Sequence, residues 1–139
     1  MNEPDTTARQ VPAARILWAA LLASIVVYAL VANNFRPEAP AEAADLGVIT
    51  AVIAATAAGT LVASAIVPRL LARQGAPYIT FCILRWALAE SVAVFGLVLT
   101  FMGALPRVGH AFFAVSALAI LLQPPGGRDL ERFRELRGR

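Results

Sequence analysis

Glu90 is the one carboxyl inside the long apolar stretches of this chain, midway along the run from Ile79 to Met102, in the frame Trp86-Ala-Leu-Ala-Glu-Ser-Val-Ala-Val-Phe-Gly-Leu-Val-Leu99. A carboxylate at bilayer depth costs about 2.5–3.5 kcal/mol on insertion scales. Neutralising a glutamate at neutral pH costs a comparable amount. The charged and neutral forms would then lie close in free energy, the condition for a group that takes up and releases a proton. Arg85 lies in the same run. Five residues separate the two, about 140° around a helix and about 7.5 Å along it, so they do not share a face and an intrahelical ion pair is not expected. The expectation for Arg85 is that its head snorkels to the headgroups. A carboxylate on another subunit or an anionic lipid are the alternatives.

The remaining reactive side chains are isolated. His110 is the single histidine and is expected to hydrogen-bond a loop carbonyl, with titration as the alternative. Cys82 is the single cysteine, which excludes an intrachain disulfide. Trp18 and Tyr78 fit interfacial anchoring. The chain has no phosphate-binding glycine loop, nucleophile constellation, paired carboxylates or metal-ligand spacing. It is therefore not expected to be an enzyme, and neither a metal nor a cofactor is implied.

Positioning Glu90 requires helices in a membrane. With 59% hydrophobic and only 15% charged residues the composition is far from that of a soluble domain. Four apolar segments stand out, Ala14 to Val31, Leu46 to Val67, Ile79 to Met102 and Val108 to Leu122. A spanning helix needs about 20 apolar residues, so the first three qualify directly and the fourth once it recruits Pro106, Arg107 and Gln123. A cleaved signal peptide is the alternative for the first segment, but Glu3 and Asp5 dilute the basic region before it. The expected fold is all-α, a single transmembrane domain of four helices over about 14–31, 46–67, 79–102 and 106–123, followed by a short amphipathic tail over 124–139.

The twelve basic residues are all arginine. Arg9 and Arg15 precede the first span, Arg69 and Arg73 follow the second, and Arg128, Arg132, Arg134, Arg137 and Arg139 follow the fourth, whereas the two other loops hold only Arg36 and Arg107, the first beside Glu38, Glu42 and Asp45. Positive-inside bias puts both termini and the loop from Pro68 to Tyr78 in the cytoplasm. That distribution accounts for the arginine surplus without a nucleic-acid partner. In the tail, Leu130, Phe133 and Leu136 recur at three-residue spacing among mixed charges, so the segment is expected to lie on anionic lipid headgroups, to dock on a partner or to remain solvated.

Small residues mark where helices can approach. Gly47, Ala51, Ala55, Gly59 and Ala63 recur every four residues in the second span, and Ala89, Ala93, Gly96, Thr100 and Gly103 form a stripe in the third. Membrane helices associate through such faces. The expectation is a tight hairpin closing through Gly59 and Gly96, with Glu90 about 100° from the stripe, facing a groove or a neighbouring subunit.

The stretch Leu46 to Met102 resembles the proteolipid subunit c of rotary ATP synthases, a helical hairpin with a small-residue first helix, an Arg-Gln loop and a mid-membrane carboxylate in the second helix. The matching residues are Ala72-Arg73-Gln74 for the loop and Ala89-Glu90 with Val94-Phe95-Gly96-Leu97-Val98 for the carboxylate region. The chain departs from that pattern in its loop, which continues Gly-Ala-Pro, and in the two spans that flank the hairpin. The resemblance implies a small subunit in a bacterial inner membrane, in a homo-oligomer or a larger membrane complex, that binds a proton or cation at Glu90. A structural or accessory subunit, in which protonated Glu90 only donates a hydrogen bond, is the other expectation.

Overall fold

The computed structural model describes residues 8–35 and 43–138. Glu3, Asp5, Arg36, Glu38, Glu42 and Arg139 lie outside them. A 3-10 turn, Ala8–Gln10, leads into α1 (Val11–Asn34), followed by α2 (Ala43–Arg73), α3 (Tyr78–Phe101), α4 (Pro106–Leu121) and α5 (Gly127–Arg137). No strand occurs among the described residues. Three helices are long and apolar enough to cross a membrane, Val11–Asn34, Leu46–Arg73 and Tyr78–Phe101, which points to a membrane protein. α4 has 16 residues and falls short of that length.

Glycine chemistry ends two of these helices. At Gly75 (φ 91°) the Ala76 N–H reaches Leu71 O at 3.0 Å and the Gly75 N–H reaches Ala72 O at 3.1 Å. At Gly103 (φ 86°) the same pair of bonds runs from Ala104 to Leu99 and from Gly103 to Thr100. Both satisfy orphan carbonyls with a left-handed residue that favours glycine. Pro77 and Pro106 then open the next helices where a missing N–H costs nothing. The expectation that the second span stops before Pro68 is corrected: α2 continues through Pro68 to Arg73. A proline inside such a helix is tolerated when neighbouring helices cover the disturbed turn, and Pro68 is fully buried.

Contacts along α3 fix the topology. The Gln10 side chain accepts from the Ile79 N–H at 3.0 Å, and the Phe35 and Phe101 rings meet edge-on at 4.7 Å, so α1 runs parallel to α3. α4 runs the opposite way: Gly109 lies against Gly96, Ser116 Oγ donates to Ala89 O at 2.8 Å, and Trp86 Nε1 donates to Gln123 O at 3.1 Å. α5 folds back over the end where α3 begins. Its Phe133 is buried against Tyr78 and Phe81, with ring centroids 5.4 and 5.5 Å apart. Arg9, Arg69, Arg73, Arg85 and the α5 arginines therefore gather at one end of the bundle, and Arg107 lies at the other.

The expected closure of the α2–α3 hairpin through Gly59 and Gly96 is also corrected. A Cβ placed on Gly96 would lie 2.7 Å from Phe112 Cβ and 2.9 Å from Gly109 O, so the close approach is between α3 and α4. Ala89, Ala93 and Thr100 are buried along the same stripe. On α2, Gly47, Ala51, Ala55 and Gly59 are exposed, Ala63 is partly buried, and nothing lies within 4 Å of a Cβ on Gly59. The buried line of α2 is Ala57, Ser64, Pro68 and Ala72. It lies about 160° around the helix from the ridge and is equally small, so close packing had two faces to choose from.

Candidate functional site

Two polar clusters are built into this frame, one at each of the two residues of α3 with a formal charge, Arg85 and Glu90. At mid-helix, Glu90 is partly buried and turns towards α1, where Ser24 and Tyr28 sit four residues apart on one face. Tyr28 OH donates to Glu90 Oε1 at 3.1 Å, and Ser24 Oγ is hydrogen-bonded to the same oxygen. Ser24 Oγ also lies 2.7 Å from Leu21 O. A serine hydroxyl has one proton, so it cannot donate to both oxygens. Two complete arrangements follow. When Glu90 is ionised, Ser24 and Tyr28 both donate to it. When Glu90 is protonated, its O–H donates to Ser24, whose own proton turns to the Leu21 carbonyl, while Tyr28 still donates. Each charge state keeps its hydrogen bonds with only a rotation of one hydroxyl.

Among the described residues none donates to the second oxygen of Glu90, and no arginine forms an ion pair with the carboxyl. The expectation that Glu90 faces a groove or a neighbouring subunit therefore changes in part. One oxygen is held within the chain, by a helix outside the α2–α3 hairpin.

The second cluster surrounds Arg85. Its guanidinium forks onto Asp129, with Nη1 donating to Oδ1 at 2.7 Å and Nη2 to Oδ2 at 3.1 Å. The expected snorkelling is thus corrected: the counter-charge is this chain's own, supplied by the first turn of α5. Both side chains are largely buried, at 11% and 9% exposure. Tyr78 OH donates to Asp129 Oδ2 at 3.0 Å, and the Cys82 thiol lies 3.9 Å from the same oxygen. The guanidinium carbon is 4.9 Å from the Phe81 ring centre and 5.7 Å from that of Trp86. A bidentate, aromatic-walled ion pair is the arrangement that suits a guanidinium out of water.

Protein-family models, curated proteins and solved structures give no match to this chain. The site is read from its own geometry.

The other residues singled out by the sequence make hydrogen bonds that join the helices of the bundle. His110 Nδ1 donates to Pro106 O at 2.6 Å, because a carbonyl only accepts, and Nε2 lies 3.0 Å from the Asn33 side-chain amide, tying α4 to α1 at the end opposite Arg85. Trp18 Nε1 donates to Ile120 O at 2.9 Å, and Trp86 reaches Gln123 O, so both indoles satisfy carbonyls where α4 ends. Sequence reasoning missed Ser24, Tyr28 and Asp129. A signal existed for each: two hydroxyls one helical turn apart in an otherwise apolar run, and a carboxylate in a tail following a helix that carries an unpaired arginine.

Proposed function

We propose that the chain is a small integral membrane subunit in which Glu90 takes up and releases a proton at the interface of α1 and α3, within a homo-oligomer or a larger membrane complex. The observation that carries this reading is the Ser24 hydroxyl between two acceptors, Glu90 Oε1 and Leu21 O, which lets the hydrogen bonds of Ser24 and Tyr28 to that carboxyl oxygen persist in either protonation state. The second carboxyl oxygen is left for a neighbour or a hydrated cation. In this reading α4 is the fourth span. It lies antiparallel along α3, and its 16 residues rise about 24 Å against an apolar core of about 30 Å, with exposed Leu122 extending it. The arginine-rich end is cytoplasmic and both described ends of the chain lie there, in accord with positive-inside bias. The bilayer is that of a bacterial inner membrane, and catalysis by this chain is not part of the reading.

A structural role is the second reading, and one observation favours it. Ser91 and Thr100, the hydroxyls of α3 that follow Glu90, are bonded to carbonyls of their own helix at Leu88 and Gly96, so they do not extend a polar path from Glu90 towards the far end of the helix. In that case neutral Glu90 pins α1 to α3 and moves no charge.

Proton flux into liposomes, measured for the wild type and Glu90→Gln beside subunit number from native mass, separates the two. The first reading expects both proteins to assemble alike and only the wild type to conduct. Absence of flux from both, with identical assembly and stability, leaves the structural role.

A further inference from the structure

We propose that the cleft between the end of α4 and the start of α5 binds the phosphate of an anionic phospholipid. It has a volume of about 230 Å³ and is walled by Arg85, Gln123, Arg128 and Arg132, with Asp129 at its base and Leu122 and Pro124 at its lip. Arg128 and Arg132 are four residues apart and so project from one face of α5. Among the described residues neither makes a hydrogen bond or an ion pair. Asp129 spends its charge on Arg85, which leaves two cations of the cleft without a counter-ion.

Three further observations point to an anion rather than to a solvated basic surface. Arg85 Nε is buried with no acceptor, although both of its terminal nitrogens are bonded. Gln123 Oε1, in the same wall, is buried with no donor, as a bound water or a protonated phosphate oxygen would supply. α5 begins at Gly126-Gly127 without a side-chain cap, so the first N–H groups of this helix are not satisfied by a capping side chain.

The lip selects a lipid over a free anion. Leu122 is 72% exposed and Leu121 51%, directly beside the arginines. An occupant with a phosphate on one side and a hydrocarbon chain on the other satisfies both, and the arginine end of the bundle is where a headgroup layer would lie. A second groove adjoins the first through Arg132, lined also by Arg69 and Arg73 at the end of α2 and by Glu135 and Leu136, so basic side chains outnumber the one carboxylate there.

This inference rests on the chain lying in a bilayer and is independent of Glu90. The test uses the full chain, purified in detergent and examined by native mass spectrometry with added phosphatidylglycerol, phosphatidylcholine or inorganic phosphate. The wild type is expected to retain phosphatidylglycerol in preference to phosphatidylcholine. Arg128→Gln with Arg132→Gln is expected to weaken retention about thirtyfold, the loss for two interfacial arginines. Arg9→Gln with Arg137→Gln, which removes the same charge from the same end outside the cleft, is expected to leave it unchanged. Equal loss in the two double variants, equal retention of the two lipids, or displacement of phosphatidylglycerol by inorganic phosphate each overturns the proposal. Flotation with liposomes is run beside it: a chain that does not float overturns the membrane reading as well, whereas one that floats without lipid preference overturns this inference alone.

Discussion

The two clusters on α3 solve the same problem in opposite ways. Arg85, near one end, is neutralised by a partner: a forked carboxylate, a tyrosine hydroxyl and two aromatic walls are all supplied, and the charge stays where it is. Glu90, at mid-helix, has no counter-ion among the described residues and only two hydroxyls on one of its oxygens. A group with a fixed counter-ion is held in one charge state, whereas a group bonded only to hydroxyls keeps its partners in either. The contrast is what supports the proposal of an architectural first cluster and a proton-exchanging second one.

The largest effect is expected at the ion pair. Asp129→Ala leaves a largely buried guanidinium without its counter-charge and is expected to cost about 3–5 kcal/mol of stability, read as a lower thermal midpoint in detergent. Replacing both partners, Arg85→Met with Asp129→Leu, is expected to recover most of that loss. If Glu90→Gln destabilises the fold as much as Asp129→Ala does, the distinction between a locked charge and an exchangeable one collapses.

A smaller effect tests the frame that separates the clusters. Gly96→Ala drives a methyl group against Phe112 and the Gly109 carbonyl and is expected to cost about 1–3 kcal/mol. Gly59→Ala, on the open face of α2, is expected to leave the midpoint unchanged. Equal behaviour of the two glycine variants would show that α3 does not pack most tightly on α4.

The smallest expected changes sharpen the Glu90 side of the comparison. Tyr28→Phe and Ser24→Ala each remove one hydroxyl from the carboxyl, and hydrogen bonds between membrane helices average about 0.6 kcal/mol. Stability should therefore barely move, while any proton flux should change in rate. A large loss of stability from either variant would make the cluster a fastener instead.

The helices were legible in the sequence because apolar length is a property of each segment alone. The first three apolar segments correspond to the three long helices, and Glu90 and Arg85 stand out in any apolar run because of what a charge costs there. Their partners were not legible, because hydrogen bonds across helices depend on which faces meet. Small residues line opposite sides of α2, so spacing alone could not choose between the Gly59 face and the Ala57 face. The tail was underread for a related reason: Leu130 and Phe133 advertise an apolar face without saying whether lipid, a partner or the chain's own Tyr78 and Phe81 cover it. Only the folded chain brings Asp129 to Arg85, across 44 residues.

The central claim is that Glu90 exchanges a proton while bonded to Ser24 and Tyr28. Infrared difference spectroscopy of the carboxyl C=O stretch tests it most directly, comparing the wild type with Glu90→Gln in lipid across the pH range in which both stay folded. The account predicts a protonated-carboxyl band, absent from Glu90→Gln, that appears and disappears reversibly with pH and shifts in frequency in Tyr28→Phe. A wild-type spectrum with no Glu90 band that changes with pH would contradict it.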